Sequence, residues 1–274
     1  MDLHAPSLLT LEDHLRGLSE ATDVLARAAT DTWWGARVLT CPDWDVLDLV
    51  AHQGMVHRWA TAAVHADQAG MGNASLSETE GRTSANPVAW LRAGAQALTL
   101  ALEGAAADLE TLVFLKEAPP ARAFWARRQC HETTIHALDA LSAATGRMPT
   151  AEEAWFGQDL AADGIDELLV GFWQRGRTDL RSSEPYAVHV RPNDAPVSWL
   201  VRISDEPVRT TRLVGEDAIG AVGAADAKAV PASALTLSGA TTDLYLALWN
   251  RGGTVEDPDG VLDRWREQGA ITWA

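Results

Sequence analysis

The sequence predicts a two-domain α+β protein, in which a helical bundle precedes a smaller α+β domain. Apolar residues recur at three- and four-residue steps through most of the first half of the chain, as in amphipathic helices. From Tyr186 onward, apolar and polar residues alternate as in half-buried strands. A polar segment at about 178–185 separates the two patterns. We therefore expect domains over residues 1–150 and 181–274, joined by a connecting helix and linker over 151–180.

Each of the four predicted bundle helices has a recognisable start or end. Thr10 followed by Asp13 resembles a capping box for the first helix, and Asp43 can cap the second. Asn86-Pro87 places a cap before a proline at the first helical position of the third helix. Gly146 is a typical C-terminal stop for the fourth. The helices are expected over residues 8–30, from 43 to at least 63, 86–109 and 119–146.

The other segments follow from local composition. Residues 68–85 are rich in Gly, Ser, Asn and Thr, which predicts a loop. Residues 151–175 have a second helical pattern, and residues 241–251 a third, before a short final helix around Val261. Four alternating segments predict strands, and they cover residues 186–190, 197–203, 208–214 and 234–237.

Composition excludes some classes of function. The 274-residue chain has a net charge of −16 and only two lysines, which argues against nucleic-acid binding. No apolar run reaches the ~18 residues that a membrane span requires, and no secretory signal is evident. The two cysteines, Cys41 and Cys130, form no framework, so we expect a reduced, cytoplasmic protein. An anionic substrate would need a local arginine to offset the acidic field.

Three side chains of metal-ligand type are the candidate site. Glu132 and His136 are four residues apart on the fourth helix, so they share one face. His52 lies in the expected inward stripe of the second helix, whose other members are Val46, Leu49, Val56, Trp59 and Ala63. Two imidazoles and one carboxylate from facing helices can bind a divalent metal and leave one position open, as in catalytic sites. Ligand type favours zinc, and nickel, iron or manganese would also fit.

Simpler interpretations compete with this one. A single histidine on an apolar face is more often a core residue, and a Glu/His pair is more often a hydrogen-bonded pair. The line through Glu132 and His136 also includes Arg128 and Asp139, and Asp139 could accept an imidazole N–H or have an ordinary surface role. His131 is a poorer ligand candidate, and Cys130 is expected to be a small buried side chain. His57 and His65 are expected at the surface or the core edge.

Two arginines are further candidates. Arg251 closes a predicted helix before Gly252-Gly253, where it could stabilise the helix dipole or reach from the second domain into the bundle site to bind a carboxylate. Arg82, in the predicted loop before the third helix, has the same two interpretations.

The chain resembles a known family at these residues. Asp43-Trp44-Asp45-Val46-Leu47-Asp48-Leu49-Val50-Ala51-His52 is similar to a "DWtvrDLvaH" segment, and residues 132–139 are similar to an "E-x-x-x-H-x-x-D" segment. Leu160-Ala-Ala-Asp163-Gly164-Ile165-Asp166-Glu167 resembles a third segment, and Asn250-Arg251 matches a C-terminal "gR". These are features of the mycothiol-dependent maleylpyruvate isomerase-like enzymes, which belong to the DinB-like metal-binding bundles. The similarity extends over nearly the whole chain.

The resemblance implies a function as well as a fold. It implies an up-down four-helix bundle with zinc on His52, Glu132 and His136, and mycothiol at the open position. It also implies that Arg251, and through a looser match Arg82, act on the substrate, with Arg251 also assisting the cofactor thiol. The expected partners are a small substrate and a low-molecular-weight thiol, with the protein a monomer or small homo-oligomer. His131 stands next to Glu132, where relatives often carry arginine. Because of this departure, the resemblance does not identify the substrate.

Three hypotheses follow. The first is a zinc-dependent enzyme that uses mycothiol for isomerisation or S-transfer. The second is a metal-dependent hydrolase or biosynthetic enzyme on the same bundle that uses no mycothiol. The third is a non-catalytic binding protein whose metal is structural or absent.

Overall fold

A computed structural model of the protein describes residues 9–214 and 230–271. The chain divides into two compact units. The N-terminal unit comprises Leu9–Phe114 and Ala118–Pro149. The C-terminal unit comprises Leu115–Glu117 and the described residues from Thr150 onward, so the segment 151–180 groups with the C-terminal sheet. Within the described residues, no helix is long and apolar enough to cross a membrane.

The N-terminal unit contains the expected four-helix bundle. Its helices are α1 Leu11–Asp31, α2 Val46–Val64, α3 Gln68–Gly72, α4 Ala74–Thr83, α5 Pro87–Gly104 and α6 Ala121–Thr145. The capping box at Thr10 and Asp13 is confirmed, and Gly146 ends α6 with a left-handed φ of 69°. The N-cap of α2 lies two residues later than expected, because Asp45 and Asp48 form the capping box in place of Asp43. Leu8, which the first predicted helix includes, lies outside the described residues.

The four long helices enclose one apolar core. Helix α1 packs against α6 and α5, and α2 packs against α5 and α6. Their completely buried apolar residues include Leu18, Leu25, Leu49, Leu91, Leu98 and Leu138. Because the long α2 and α6 both line this core, polar side chains on their facing surfaces are brought together inside it.

The prediction of a loop over residues 68–85 is wrong, since α3 and α4 occupy most of it. Asp67 caps α3 by accepting a hydrogen bond from the Gly70 backbone. Gly81 on α4 lies so close to α2 that a Cβ atom there would be 3.1 Å from the Ala51 Cα and 2.7 Å from the Trp90 ring. The glycine therefore permits a close helix contact, and tertiary packing outweighs its low helix propensity.

The C-terminal unit contains a four-stranded sheet, as the alternating segments predicted. Its strands are β1 Tyr186–Pro192, β2 Val197–Ile203, β3 Arg209–Val214 and β4 Leu235–Gly239. They lie in the order β3-β2-β1-β4, with β1 and β4 parallel and the other two pairs antiparallel. Val188, at the centre of β1, faces Val201 of β2 and Leu235 of β4.

Helices complete the C-terminal unit. They are α7 Gln158–Asp166, α8 Thr241–Leu248 and α9 Val261–Gln268, and a π-helical turn, Glu167–Phe172, follows α7. At the end of α7, the Asp166 carboxylate accepts hydrogen bonds from the Trp199 indole at 2.9 Å and from Arg212 Nε at 2.7 Å. These charge-assisted contacts join the helix to strands β2 and β3.

Candidate metal centre

Helices α2 and α6 bring His52, Glu132 and His136 together. Glu132 Oε1 lies 3.4 Å from His136 Nε2 and 4.0 Å from His52 Nε2. One ligand atom from each residue falls within 4.8 Å of the other two. Ligand atoms around a tetrahedral zinc ion with bonds of ~2.0–2.1 Å are about 3.4 Å apart. The three donors therefore match a divalent metal after small side-chain movements.

The three side chains are mostly, but not completely, buried. Their exposed fractions are 19% for His52, 12% for Glu132 and 10% for His136. A site of this kind can exclude most solvent from the ligands while remaining reachable by a small molecule.

Arg128 donates a hydrogen bond to the second oxygen of the Glu132 carboxylate. It lies one turn earlier on α6, is 2% exposed, and donates from a terminal guanidinium nitrogen to Glu132 Oε2 at 2.6 Å. Burial alone would raise the pKa of Glu132. The Arg128 charge, together with the nearby imidazoles of His136 and His52, outweighs that cost and holds the pKa well below its usual range. Glu132 is therefore an ionised, oriented carboxylate.

Asp139 is hydrogen-bonded to the other ring nitrogen of His136, Nδ1. Its Oδ2 lies 3.0 Å from His136 Nδ1, and its Oδ1 accepts the Thr40 hydroxyl at 2.5 Å. Burial lowers the pKa of His136. Hydrogen bonds to Asp139 and Glu132 raise the pKa by a larger amount, so that it lies at about 9. Because Asp139 favours a proton on Nδ1, Nε2 is the nitrogen that would lose its proton and bind a metal.

Trp44 covers both histidines from the loop before α2. Its ring centroid lies 4.6 Å from that of His52 and 5.8 Å from that of His136. Sequence reasoning gave Trp44 no role, although it belongs to the segment that resembles the family. The only local signal was an aromatic residue immediately before a capped helix.

A polar layer lies beside the candidate ligands, and we define it as Gln53, His57 and Thr133. Gln53 Nε2, His57 Nε2 and Thr133 Oγ1 are 2.9 Å from one another. The expected position of His57 at the surface or core edge is wrong, because this residue is completely buried. Burial, assisted by the Arg58 charge, lowers the pKa of His57 to about 3. Sequence spacing alone could not reveal this rotation of α2, because α2 contacts other helices on several sides.

The two candidate arginines lie elsewhere. Arg82 is on α4 and not in a loop, is half exposed, and forms an ion pair with Asp48 of α2. Arg251 follows α8 in the C-terminal unit, where its guanidinium donates to the Trp249 carbonyl at 2.7 Å and its backbone N–H to Leu246 at 2.7 Å. Cys130 is a buried residue, as expected.

Comparisons with known proteins agree with this architecture. Residues 15–141 match the family model described as the mycothiol maleylpyruvate isomerase N-terminal domain, and residues 159–267 match the MDMPI C-terminal domain. Two solved structures, of the mycothiol-dependent maleylpyruvate isomerase and of a histidine-to-alanine variant of it, are each 15% identical with a TM-score of 0.58. Each match covers 92% of this chain and 94% of the other. No curated protein matches the chain.

The fold and the candidate site define a two-unit α+β protein with a His/Glu/His cluster in its helical bundle. The chain belongs to the mycothiol maleylpyruvate isomerase family, and the predicted family, fold class and enzyme class are thereby confirmed.

Proposed function

We propose that the protein is a divalent-metal enzyme that uses mycothiol to isomerise, or to transfer sulfur to, a small electrophile carrying a carboxylate. The observation that carries the proposal is the convergence of His52, Glu132 and His136, with Glu132 ionised by Arg128 and His136 oriented by Asp139. Zinc is the metal we propose, because imidazole and carboxylate donors at these separations suit it. Family membership supports mycothiol as the thiol.

The bound metal would lower the pKa of a thiol from its ordinary ~8.5, so that the thiolate is present at neutral pH. The residues around it have separate tasks. Glu132 and the two histidines would bind the metal. Asp139 holds the proton on His136 Nδ1 and keeps Nε2 available as a ligand. Trp44 covers the imidazole rings and excludes water from them.

The organic reaction then follows from the nucleophile. The thiolate would add to a double bond conjugated with a carbonyl, forming a C–S bond while the electrons of the double bond move onto the carbonyl oxygen as an enolate. Rotation about the new single bond, followed by loss of the thiolate, would yield the other geometric isomer. If a different group leaves, the product keeps the sulfur. We propose that Arg251 and Arg82 bind the substrate carboxylate and stabilise the enolate, and that Arg251 also contacts the thiol.

Metal content and thiol binding test this function together. We would measure metal per chain by mass spectrometry and titrate mycothiol by calorimetry, in the wild type and in His52→Ala. The matched control is His65→Ala, which removes an exposed histidine at the end of α2. We expect about one metal per chain and saturable thiol binding in the wild type and the control, and neither in His52→Ala.

Other outcomes would change the assignment. Metal binding with turnover that needs no thiol would replace this proposal with the hydrolase hypothesis. A protein that folds fully without metal and binds no thiol would support the binding-protein hypothesis. Analysis of the product distinguishes isomerisation, which releases the thiol, from S-transfer, which retains it. Cys41 and Cys130 are not joined in a disulfide, which supports the cytoplasm as the proposed compartment.

A further inference from the structure

The two oxygens of the Glu132 carboxylate have different partners. Oε1 faces the two histidines, at 3.4 Å from His136 Nε2 and 4.0 Å from His52 Nε2. Oε2 accepts the Arg128 guanidinium at 2.6 Å. Arg128 is itself only 2% exposed, so it is a built part of the site and not a surface cation.

This division determines how Glu132 can bind a metal. Arg128 keeps its charge at any pH the protein tolerates, and its buried, charge-assisted hydrogen bond to Oε2 would have to break before a metal could bind that oxygen. Oε2 is therefore committed to Arg128, and Glu132 can offer a metal only Oε1. A single-oxygen carboxylate with two imidazoles makes three ligand atoms, which leaves a tetrahedral position open.

Arg128 also sets the charge of the loaded site. Its positive charge cancels that of Glu132, and the ion pair of Arg82 with Asp48 is neutral. Asp139 contributes one negative charge, and two neutral imidazoles contribute none. Over these groups, a divalent ion would therefore leave one net positive charge, which one anionic ligand would balance. Without Arg128 the loaded site would be neutral, and an anion would be attracted less.

We infer that Arg128 is a positioning residue that holds Glu132 as a one-oxygen ligand and makes the open metal position selective for an anion, such as a thiolate. The inference rests on the proposed metal-dependent function. It concerns the charge of the ligand that the open position prefers, which the three metal ligands alone do not determine. It predicts that loss of the arginine has opposite effects on the two ligands: the metal binds as tightly or more tightly, and the anion binds more weakly.

Cobalt(II) provides the test, because its visible absorption is strong in four-coordinate sites and weak in sites of higher coordination number. We would load the full-length wild type, Arg128→Met, Arg128→Gln and Arg128→Lys with cobalt. Cobalt affinity is measured by competition with a chelator, and azide and mycothiol binding by the change in visible absorption. Arg58→Met is the matched control, since Arg58 stacks on Trp90 and donates to backbone carbonyls of Gly54 and Trp90.

The expected pattern separates charge from hydrogen bonding. Arg128→Met should retain or improve cobalt affinity, lose visible absorption as Glu132 binds through both oxygens, and bind azide and mycothiol about 10-fold more weakly. Arg128→Gln can still donate to Oε2 and should fold even where Arg128→Met does not. It should keep the wild-type absorption but show the same loss of anion affinity. Arg128→Lys and Arg58→Met should bind both anions within about threefold of the wild type.

Four results would overturn the inference or part of the function beneath it. Equal losses of cobalt and anion affinity in both neutral variants would make Arg128 a merely structural residue. Unchanged anion affinity in Arg128→Gln would refute the charge argument. A wild type that binds no cobalt would remove the proposed function, and this inference with it. A wild type that binds cobalt and azide but not mycothiol would refute the thiol assignment alone, and the azide data would still judge the role of Arg128.

Discussion

Two adjacent parts of the α2–α6 interface contain buried histidines in opposite states. In the candidate metal centre, His136 has carboxylates on both ring nitrogens, and its pKa is raised to about 9. In the polar layer, His57 contacts the neutral side chains Gln53 and Thr133, and its pKa is lowered to about 3. The two parts are offset by one residue in the sequence, since Gln53 follows His52 and Thr133 follows Glu132.

The difference shows that burial alone does not make a histidine a ligand. Both residues lose hydration, and this favours the neutral imidazole in each case. At His136 the nearby negative charges reverse that preference, so the residue can exchange its proton for a cation. At His57 the opposing contributions of Glu132 and the Leu91 backbone are smaller than the loss, so the residue remains neutral and serves packing and hydrogen bonding. The following predictions test this contrast.

Removal of Glu132 should have the largest effect. In metal-free protein, Glu132→Ala breaks the buried ion pair with Arg128, which should cost about 3 to 5 kcal/mol of unfolding free energy. Urea denaturation in the presence of a chelator measures this loss. The double variant Arg128→Met/Glu132→Ala should recover more than half of it. A loss below about 1 kcal/mol would show that the pair is effectively solvated.

Neutralising Asp139 should weaken the metal without unfolding the bundle. Asp139→Asn retains an oxygen that can accept from His136 Nδ1 but lacks the charge, so metal affinity should fall by about 10- to 100-fold. A chelator competition titration measures the change. Asp108→Asn, an exposed substitution in the same unit, is the control and should bind metal as the wild type does. Equal affinities in the two variants would remove Asp139 from the site.

His136 should make the metal-free protein sensitive to alkali. Its folded pKa is raised above the unfolded value of 6.5, so the stabilisation is complete below pH 6.5 and is lost as the pH rises through about 9. The expected loss is of the order of 2 kcal/mol, seen as a lower melting temperature at pH 9.5 than at pH 7. Metal-loaded protein should not show this contribution. An identical decrease with and without metal would contradict the prediction.

His57 should make the protein sensitive to acid instead. Its folded pKa is depressed to about 3, so its contribution is present above pH 6.5 and is lost as the pH falls toward 3. By pH 5 the loss should be about 2 kcal/mol. We would compare unfolding free energies at pH 7 and pH 5 in the wild type, in His57→Gln, which should lack this loss, and in His65→Gln, which should retain it. Parallel decreases in all three would show that His57 is not the cause.

The smallest effect is expected at Arg82, outside both parts of the interface. Its side chain is 47% exposed, so breaking its ion pair with Asp48 in Arg82→Ala should cost less than about 1 kcal/mol and leave metal content unchanged. If Arg82 binds the substrate carboxylate, KM for the substrate should rise nonetheless. Unchanged kinetics would exclude Arg82 from substrate binding.

Sequence predicts features that depend on local interactions. The four long helices and the four strands have caps, glycine stops or alternation that act within a few residues, so their positions were confirmed closely. The segment 68–85 was predicted wrongly because its helices depend on the contact of Gly81 with α2 and Trp90, which composition does not encode. His57 was misplaced for a similar reason, since its burial requires three helices to pack around α2.

The candidate site was also predictable only in part. The i,i+4 spacing of Glu132 and His136 indicates a shared face, but the approach of His52 depends on how α2 and α6 pack. The role of Asp139 was open between a surface residue and an acceptor, and its complete burial with Thr40 and His136 as partners decides for the acceptor. The cover provided by Trp44 is a tertiary contact that spacing does not reveal.

The line of Arg128, Glu132, His136 and Asp139 along α6 has a consequence for protein engineering. One continuous segment carries two of the three candidate ligands together with the charged partner of each. Such a segment could be transplanted into another antiparallel bundle as a unit, since the recipient would need to supply only one histidine on a facing helix. For the same reason, changes in α6 alone would remove two of the three candidate ligands.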